Sequence, residues 1–147
     1  MRVAGTEFNL AHQALEIYLS GCKAPHCEGC HNKELWEFNQ GIPYQEWLKT
    51  QENSGLFKDS ELLVKKVWIL GGEPLDQNLI SLQNFIIRLN AYFQEIWLWT
   101  RYEKIPKPLH HLLKYAKLGM YDKTKPSYIE PLFGIKLASN NQRIVKL

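Results

Sequence analysis

The chain has 147 residues, 45% of them hydrophobic and 22% charged, and carries a net charge of +3 at neutral pH. These values are typical of one globular domain, so we predict a single domain over residues 1–147 and exclude a disordered chain. The apolar runs are too short to cross a bilayer and the basic residues are dispersed, so we expect neither a membrane nor a nucleic-acid partner.

Residues 1–10 lack the apolar run of a signal peptide, and we therefore expect a cytoplasmic protein. Thiols stay reduced in that compartment, and an odd number of cysteines cannot pair completely. All three cysteines of the chain fall within residues 22–30. This clustering predicts metal binding or catalysis rather than a disulfide.

The first predicted strand covers residues 14–20 and leads directly into the cysteine-containing segment. Pro43 suits the first turn of a helix that extends to about Lys49, and residues 53–55 end it. Residues 64–70 are rich in β-branched and aromatic side chains and predict a second strand. That strand ends at the glycine-rich turn of residues 71–74.

Asp76 is the predicted N-cap of the next helix. Apolar residues then follow at steps of three and four and predict one buried stripe, formed by Leu79, Leu82, Ile86, Leu89 and Phe93. Residues 96–100 predict a third strand.

Two prolines, Pro106 and Pro108, are predicted to open a further helix that Gly119 ends. Its inner face would carry Leu109, Leu112, Leu113 and Ala116. Residues 120–122 predict a short fourth strand, and residues 143–147 a last one. Because strands and helices alternate, we predict an α/β fold with a mainly parallel sheet.

The cysteine loop contains Cys22, Cys27 and Cys30 and can bring three thiolates to one metal centre. A [4Fe–4S] cluster usually takes four cysteines, so with three one iron stays open to a substrate. The alternative is a structural zinc site with His26 or His31 as fourth ligand. All these candidates lie in one loop, so zinc would stabilise little beyond it.

The turn Gly71-Gly72-Glu73-Pro74 follows the second predicted strand, as the cysteine loop follows the first. Ligands of parallel α/β folds collect at the carboxyl ends of strands, which places both features at one edge of the sheet. Glycines let the backbone approach a ligand closely, and Glu73 offers an acceptor for an ammonium group. The alternative is an ordinary strand-to-helix turn.

A three-cysteine loop followed by such a turn resembles the radical S-adenosylmethionine superfamily. The chain resembles more narrowly the activating enzymes of anaerobic (class III) ribonucleotide reductase. The residues that carry this resemblance are Gly29-Cys30-His31-Asn32, Leu35-Trp36, Phe38, Gly41, Ile-Trp-Leu-Trp-Thr at 96–100 and Ser-Asn-Asn-Gln-Arg at 139–143.

The chain departs from the family pattern at three places. Four residues, 23–26, separate the first two cysteines where the superfamily usually has three. Arg101 stands where the family commonly has glycine, and residues 122–130 differ from the family's Asp-Gly-Lys-Phe-like stretch.

The resemblance implies that Cys22, Cys27 and Cys30 ligate three irons of a [4Fe–4S] cluster. The fourth iron would take the amino and carboxylate groups of S-adenosylmethionine. The ammonium group would be held by Gly71, Gly72 and Glu73, and the adenine would lie near His31. Thr100 would be either a second pocket contact or a core strand residue.

The resemblance further implies a radical S-adenosylmethionine oxidoreductase that places a glycyl radical on the large subunit of anaerobic ribonucleotide reductase, with a flavodoxin-like protein as reductant. The chain is too short for a full eight-unit barrel of about 250 residues, so we expect an incomplete TIM-like βα barrel. Two alternatives are a radical enzyme acting on another glycyl-radical protein or a small molecule, and a non-enzymatic zinc-binding adaptor.

Overall fold

The computed structural model describes residues 1–55, 57 and 64–147. None of the described helices has the length and apolar character needed to span a bilayer. The elements are β1 (Arg2–Asn9), β2 (Ala14–Leu19), β3 (Ile42–Pro43), α1 (Tyr44–Ser54), β4 (Lys66–Gly71), α2 (Leu79–Asn90), β5 (Ile96–Trp99), β6 (Tyr115–Leu118), β7 (Tyr128–Glu130), β8 (Ile135–Leu137) and β9 (Arg143–Lys146).

Seven of the described strands form one open sheet in the order β3-β1-β2-β4-β5-β6-β9. The four central strands, β2, β4, β5 and β6, pair in parallel. Strands β1, β3 and β9 add antiparallel edges. The predicted α/β class and parallel centre are confirmed. The sheet is not a closed barrel, and the partial TIM-like barrel stays a prediction.

Alternation along the central strands gives the sheet two different faces. The helix face packs aliphatic side chains against α1 and α2, as with Ile17, Ile69 and Leu98, which are all fully buried. The opposite face, here called the pocket face, carries Glu16, Tyr18, Trp68, Trp99 and Lys117, which line a cavity. A separate hairpin of β7 and β8 covers part of this second face.

The predictions for the first 55 residues need two changes. Strand β1 was not predicted, because its residues are largely exposed and only Val3 is buried, which leaves no apolar pattern to detect. Helix α1 continues to Ser54, beyond the predicted end near Lys49, and Gly55 follows it in a left-handed conformation with φ of 75°.

The predicted N-cap of α2 is wrong. Asn78 caps this helix, and its side-chain oxygen accepts the backbone N–H of Ser81 at 3.0 Å. Asp76 instead ends a short 3₁₀ helix and is buried by tertiary partners. The apolar stripe of α2 is confirmed from Leu82 onward, whereas Leu79 is 38% exposed.

The third predicted helix, from Pro106 to Gly119, is also wrong. Residues Lys107–Leu112 form a 3₁₀ helix, and Ala116 lies in strand β6, with Gly119 just beyond the strand. The two prolines remove backbone donors at its start, while the side chains of β6 alternate between the two faces of the sheet. Residues 120–122 form no strand, and the predicted last strand is confirmed as β9.

Candidate functional site

A cavity of about 360 Å³ lies at the carboxyl ends of the central strands. Parallel strands place their carboxyl ends at one edge, so loops distant in sequence meet there. The cavity brings together all eight residues that the sequence singled out: Cys22, Cys27, Cys30, His31, Gly71, Gly72, Glu73 and Thr100.

The cysteine loop is anchored at its start by backbone hydrogen bonds. Gly21 N–H donates to Leu35 O at 2.8 Å, and Cys22 N–H donates to Trp36 O at 2.9 Å. All three cysteines are free thiols, with Cys22 buried and the other two half-buried. Burial raises the pKa of the Cys22 thiol to about 11, against the opposing effect of the nearby Arg101 guanidinium.

His26 is already engaged within the loop. Its ring stacks on Trp36 with centroids 3.8 Å apart and an angle of 3° between the planes. Its Nε2 lies 2.9 Å from the carbonyl oxygen of Cys22. His31 lines the cavity instead, with its ring 5.3 Å from that of Tyr121.

The donor set suits an iron–sulfur cluster in its chemistry: three free thiols at one cavity, with no fourth cysteine in the chain. Within the described part of the chain, no three His, Cys, Asp or Glu side chains are close enough to hold a single metal ion. The thiols thus share the cavity without converging on one point. In a cluster each thiolate binds a different iron, so single-ion spacing is not required.

The two glycines of the turn are required by contact between two loops. Gly72 N–H donates to Leu19 O and Glu73 N–H donates to Gly21 O, each at 2.8 Å. A Cβ on Gly72 would lie 2.4 Å from Gly21 O, and one on Gly71, where φ is +116°, would lie 2.4 Å from Leu19 O. The turn therefore packs directly against the start of the cysteine loop.

Glu73 is 1% exposed and its carboxylate already accepts three hydrogen bonds. Oε1 accepts from Leu75 N–H at 2.9 Å and from the Thr100 hydroxyl at 2.6 Å. Oε2 accepts from Arg101 N–H at 2.8 Å. Burial raises the pKa of Glu73, while these hydrogen bonds oppose the rise. The carboxylate thus ties the turn to the end of β5, and its contact with a ligand ammonium stays a prediction.

Thr100 serves the same connection. Its hydroxyl donates to Glu73 and accepts the backbone N–H of Tyr102 at 3.1 Å, and the residue is 2% exposed. Thr100 thus positions Glu73 at the cavity wall and lines the cavity itself, and its contact with a ligand stays a prediction.

Sequence reasoning missed two polar features of this site. Asp76 and Arg101 form a buried ion pair beside the cysteine loop, with Arg101 Nη2 3.1 Å from Asp76 Oδ2. Lys117 lines the cavity on the pocket face, and burial lowers its pKa to about 8. The alternation of polar and apolar residues in β6 was the signal for Lys117, but the leucines before it suggested a helix.

Unpaired polar atoms are concentrated around the cavity. Among the described residues, five buried side-chain atoms lack a hydrogen-bond partner: Trp36 Nε1, Trp68 Nε1, Trp99 Nε1, Arg101 Nε and Asn141 Oδ1. All but Asn141 belong to residues that line the cavity. Such atoms are costly to bury alone, and this concentration is typical of a site completed by a ligand.

Comparison with known proteins agrees with these features. The family described as "4Fe-4S single cluster domain" matches residues 13–145. Proteins named anaerobic ribonucleoside-triphosphate reductase-activating protein are similar to the chain: that of Pasteurella multocida is 34% identical over 89 residues, 58% of this chain and 55% of that protein. The Escherichia coli K12 protein is 31% identical over 90 residues, 59% of this chain and 57% of that protein.

The phage T4 protein of the same name is 30% identical over 117 residues, 76% of this chain and 72% of its own length. The matches to the two bacterial proteins thus span little more than half of each relative. The resemblance stated from the sequence is confirmed.

Proposed function

The chain belongs to the 4Fe-4S single cluster domain family, and we propose that it activates an anaerobic ribonucleotide reductase by generating a glycyl radical in its large subunit. The observation that carries this proposal is the meeting of three free thiols with the glycine-rich turn at one cavity. The names of the relatives give the proposed partner.

Cys22, Cys27 and Cys30 would each bind one iron of a [4Fe–4S] cluster and leave the fourth iron without a protein ligand. When bound, the cluster would supply one-electron reductive cleavage of S-adenosylmethionine, with a flavodoxin-like protein as reductant; the products would be methionine, 5′-deoxyadenosine and a glycine that has lost one hydrogen atom.

The residues of this chain would bind and orient the ligand. The Gly71 to Glu73 turn, fixed to Leu19 and Gly21 by its backbone, would face the ligand's ammonium group. His31 would lie beside the adenine, on the side of the cavity that Tyr121 also lines. Thr100 would hold the Glu73 carboxylate in place.

The open sheet would act as a partial barrel that admits a protein substrate. Aromatic rings line its pocket face, notably Trp68 and Trp99, whose centroids are 5.0 Å apart, and would exclude water from part of the cavity. A glycine-bearing segment of the reductase would reach the ligand from the open side.

Two alternatives remain for experiment. The same site would also serve a radical enzyme that acts on another glycyl-radical protein or on a small molecule. A zinc-binding adaptor would instead use the thiols structurally and would hold zinc without iron.

The test is anaerobic reconstitution of the chain with iron and sulfide, followed by metal analysis and absorption spectroscopy. We expect about four irons per chain and, with dithionite and S-adenosylmethionine, formation of 5′-deoxyadenosine. Cys27→Ala should abolish that product, whereas Arg88→Gln, on the exposed side of α2, should leave it unchanged.

The partner is tested separately by electron paramagnetic resonance of the anaerobic reductase after incubation with the loaded chain. A glycyl radical supports the proposal. A colourless protein with one zinc and no iron contradicts it, as does a fully loaded chain that forms no 5′-deoxyadenosine. Product without a radical on the reductase favours the other radical substrates.

A further inference from the structure

Arg101 holds the cysteine loop through two backbone carbonyls. It follows strand β5, and its Nη1 donates to the carbonyl oxygen of Pro25 while Nη2 donates to that of Lys23 at 2.8 Å. Both carbonyls lie between Cys22 and Cys27. A guanidinium suits this task because it offers several donors in a rigid planar fork.

Asp76 binds the same loop through the backbone N–H of Lys23. Its Oδ2 accepts the backbone N–H of Lys23 at 2.6 Å and also the Arg101 Nη2 at 3.1 Å. Its Oδ1 accepts the hydroxyl of Tyr102 at 2.6 Å. Lys23 is therefore fixed through both its N–H and its C=O by two side chains that also bind each other.

Both charged side chains of this arrangement are largely buried. The side chains of Arg101 and Asp76 are 9% and 3% exposed. Removing one member of a buried ion pair leaves the other charge uncompensated, so a substitution at either residue lowers stability. By contrast, the ion pair of Arg88 with Glu52 lies on the surface, with the Arg88 side chain 55% exposed.

Two of the three departures of this chain from the family pattern meet at this contact. The segment between Cys22 and Cys27 has one residue more than the superfamily usually has, and Arg101 stands where glycine is common. Arg101 binds two carbonyls of that longer segment. A glycine at 101 has no side chain to make either bond.

We infer that Arg101 and Asp76 form a clamp that fixes the segment between Cys22 and Cys27 and so positions these two cysteines. The two are positioning residues. The effect of these two residues on the position of the loop does not depend on the proposed function. Their effect on retention of a cluster does rest on it.

The first test uses the metal-free chain and hydrogen–deuterium exchange at the Lys23 amide. Arg101→Gly and Asp76→Asn should each speed this exchange by about tenfold or more, since each loses at least one hydrogen bond to a charged group. Arg101→Lys keeps the positive charge but loses the planar guanidinium, so its exchange rate at Lys23 should lie between those of the wild type and Arg101→Gly. Arg88→Gln is the matched control and should leave the exchange unchanged.

Exchange at the amides of α2 in the same experiment reports whether a variant is folded. If Lys23 exchanges at the wild-type rate in both Arg101→Gly and Asp76→Asn while α2 stays protected, the clamp is overturned. If one variant fails to fold, the same comparison is made with Arg101→Lys and Tyr102→Phe, and an unchanged rate in both overturns it equally.

The second test asks whether the length of the cysteine loop and the residue at position 101 depend on each other. Deleting Ala24 restores three residues between the first two cysteines, and we expect this deletion alone to lower iron retention after reconstitution because Arg101 then meets a shorter loop. Combined with Arg101→Gly, the deletion should restore retention toward the wild-type value. Independent, additive losses would contradict the coupling.

The two proposals fail in different ways. If the loaded wild-type chain forms no 5′-deoxyadenosine while the variants still change exchange at Lys23, the proposed function fails and the clamp stands. If the wild type is active and neither exchange nor iron retention responds to Arg101 or Asp76, the clamp fails alone.

Discussion

The two faces of the central sheet are built from neighbouring residues of the same strands, yet one is aliphatic and the other aromatic and partly polar. On β5, Leu98 is fully buried in the aliphatic core, and Trp99 beside it borders the cavity. On β6, Ala116 packs under the helices while Lys117 reaches the cavity. Strand alternation thus separates the residues that hold the fold together from those that form the site.

The two faces also differ in how many of their polar atoms lack a hydrogen-bond partner. The helix face is closed by apolar packing, whereas the pocket face contains the unpaired indole N–H groups of Trp68 and Trp99. It also contains a half-buried lysine, Lys117, that forms no ion pair among the described residues. Functional sites commonly carry such costs, which the rest of the fold offsets. The comparison predicts that substitutions on the two faces affect different properties.

The largest effect on stability is expected on the helix face. Leu98→Ala should lower the free energy of unfolding by about 3 kcal/mol, because it leaves a void in a packed core. Urea denaturation of the metal-free chain measures this value. Ile80→Ala, at a position 68% exposed, is the control and should change little. A loss below about 1 kcal/mol at Leu98 would contradict the assignment of the core to this face.

A smaller effect of opposite sign is expected at Lys117. Burial lowers its pKa to about 8 from 10.5, so between these values the unfolded chain binds more protons and stability rises with pH. Below pH 8 the cost of the buried charge is fully present. The full lowering of the pKa corresponds to about 3 kcal/mol. Because the Lys117 side chain is only half-buried and keeps part of its hydration, Lys117→Met should stabilise the metal-free chain by about 1 to 2 kcal/mol at pH 7, with the gain fading toward pH 10.5.

Urea titrations at pH 7, 9 and 10.5 test this pH dependence. Lys136→Met, at an exposed position of β8, is the control and should show no gain that fades with pH. A constant gain for Lys117→Met across the three pH values would indicate simple apolar packing instead of relief of a buried charge.

The smallest effect on stability is expected at Trp99. Trp99→Phe should change the free energy of unfolding by less than about 1 kcal/mol, because the lost apolar contact is offset by removal of an N–H without an acceptor. Equilibrium dialysis of the loaded chain should show weaker binding of S-adenosylmethionine. A destabilisation as large as that of Leu98→Ala would remove the distinction between the faces.

The sequence was sufficient to predict that the cysteine loop and the glycine-rich turn meet at one edge of the sheet. The cysteine loop and the glycine-rich turn each follow a strand with a clear β-branched or aromatic pattern. Parallel pairing of these two strands then brings the loop and the turn to the same edge of the sheet. Strand β6 was missed because its leucine-rich approach imitates helical spacing, while Pro106 and Pro108 restrict that segment to a 3₁₀ helix.

Asp76 shows why the rest was out of reach. An aspartate just before a helix is a favourable N-cap, which is why Asp76 was predicted. In the structure Asn78, two residues later, caps the helix instead. The partners of Asp76 lie 53, 25 and 26 residues away, at Lys23, Arg101 and Tyr102. No local pattern encodes such a set, because it arises only when three loops are brought together.

The backbone contact between Gly21 and Gly72 has a consequence for how this site can change during evolution. Hydrogen bonds from Gly72 and Glu73 to the residues just before Cys22 fix the spacing of the two loops without any side chain. The extra residue of the cysteine loop falls beyond this fixed point. Insertions there alter the loop while leaving its origin in register with the turn, so a change in loop length has to be matched only by the side chains that hold the loop farther along, Arg101 and Asp76.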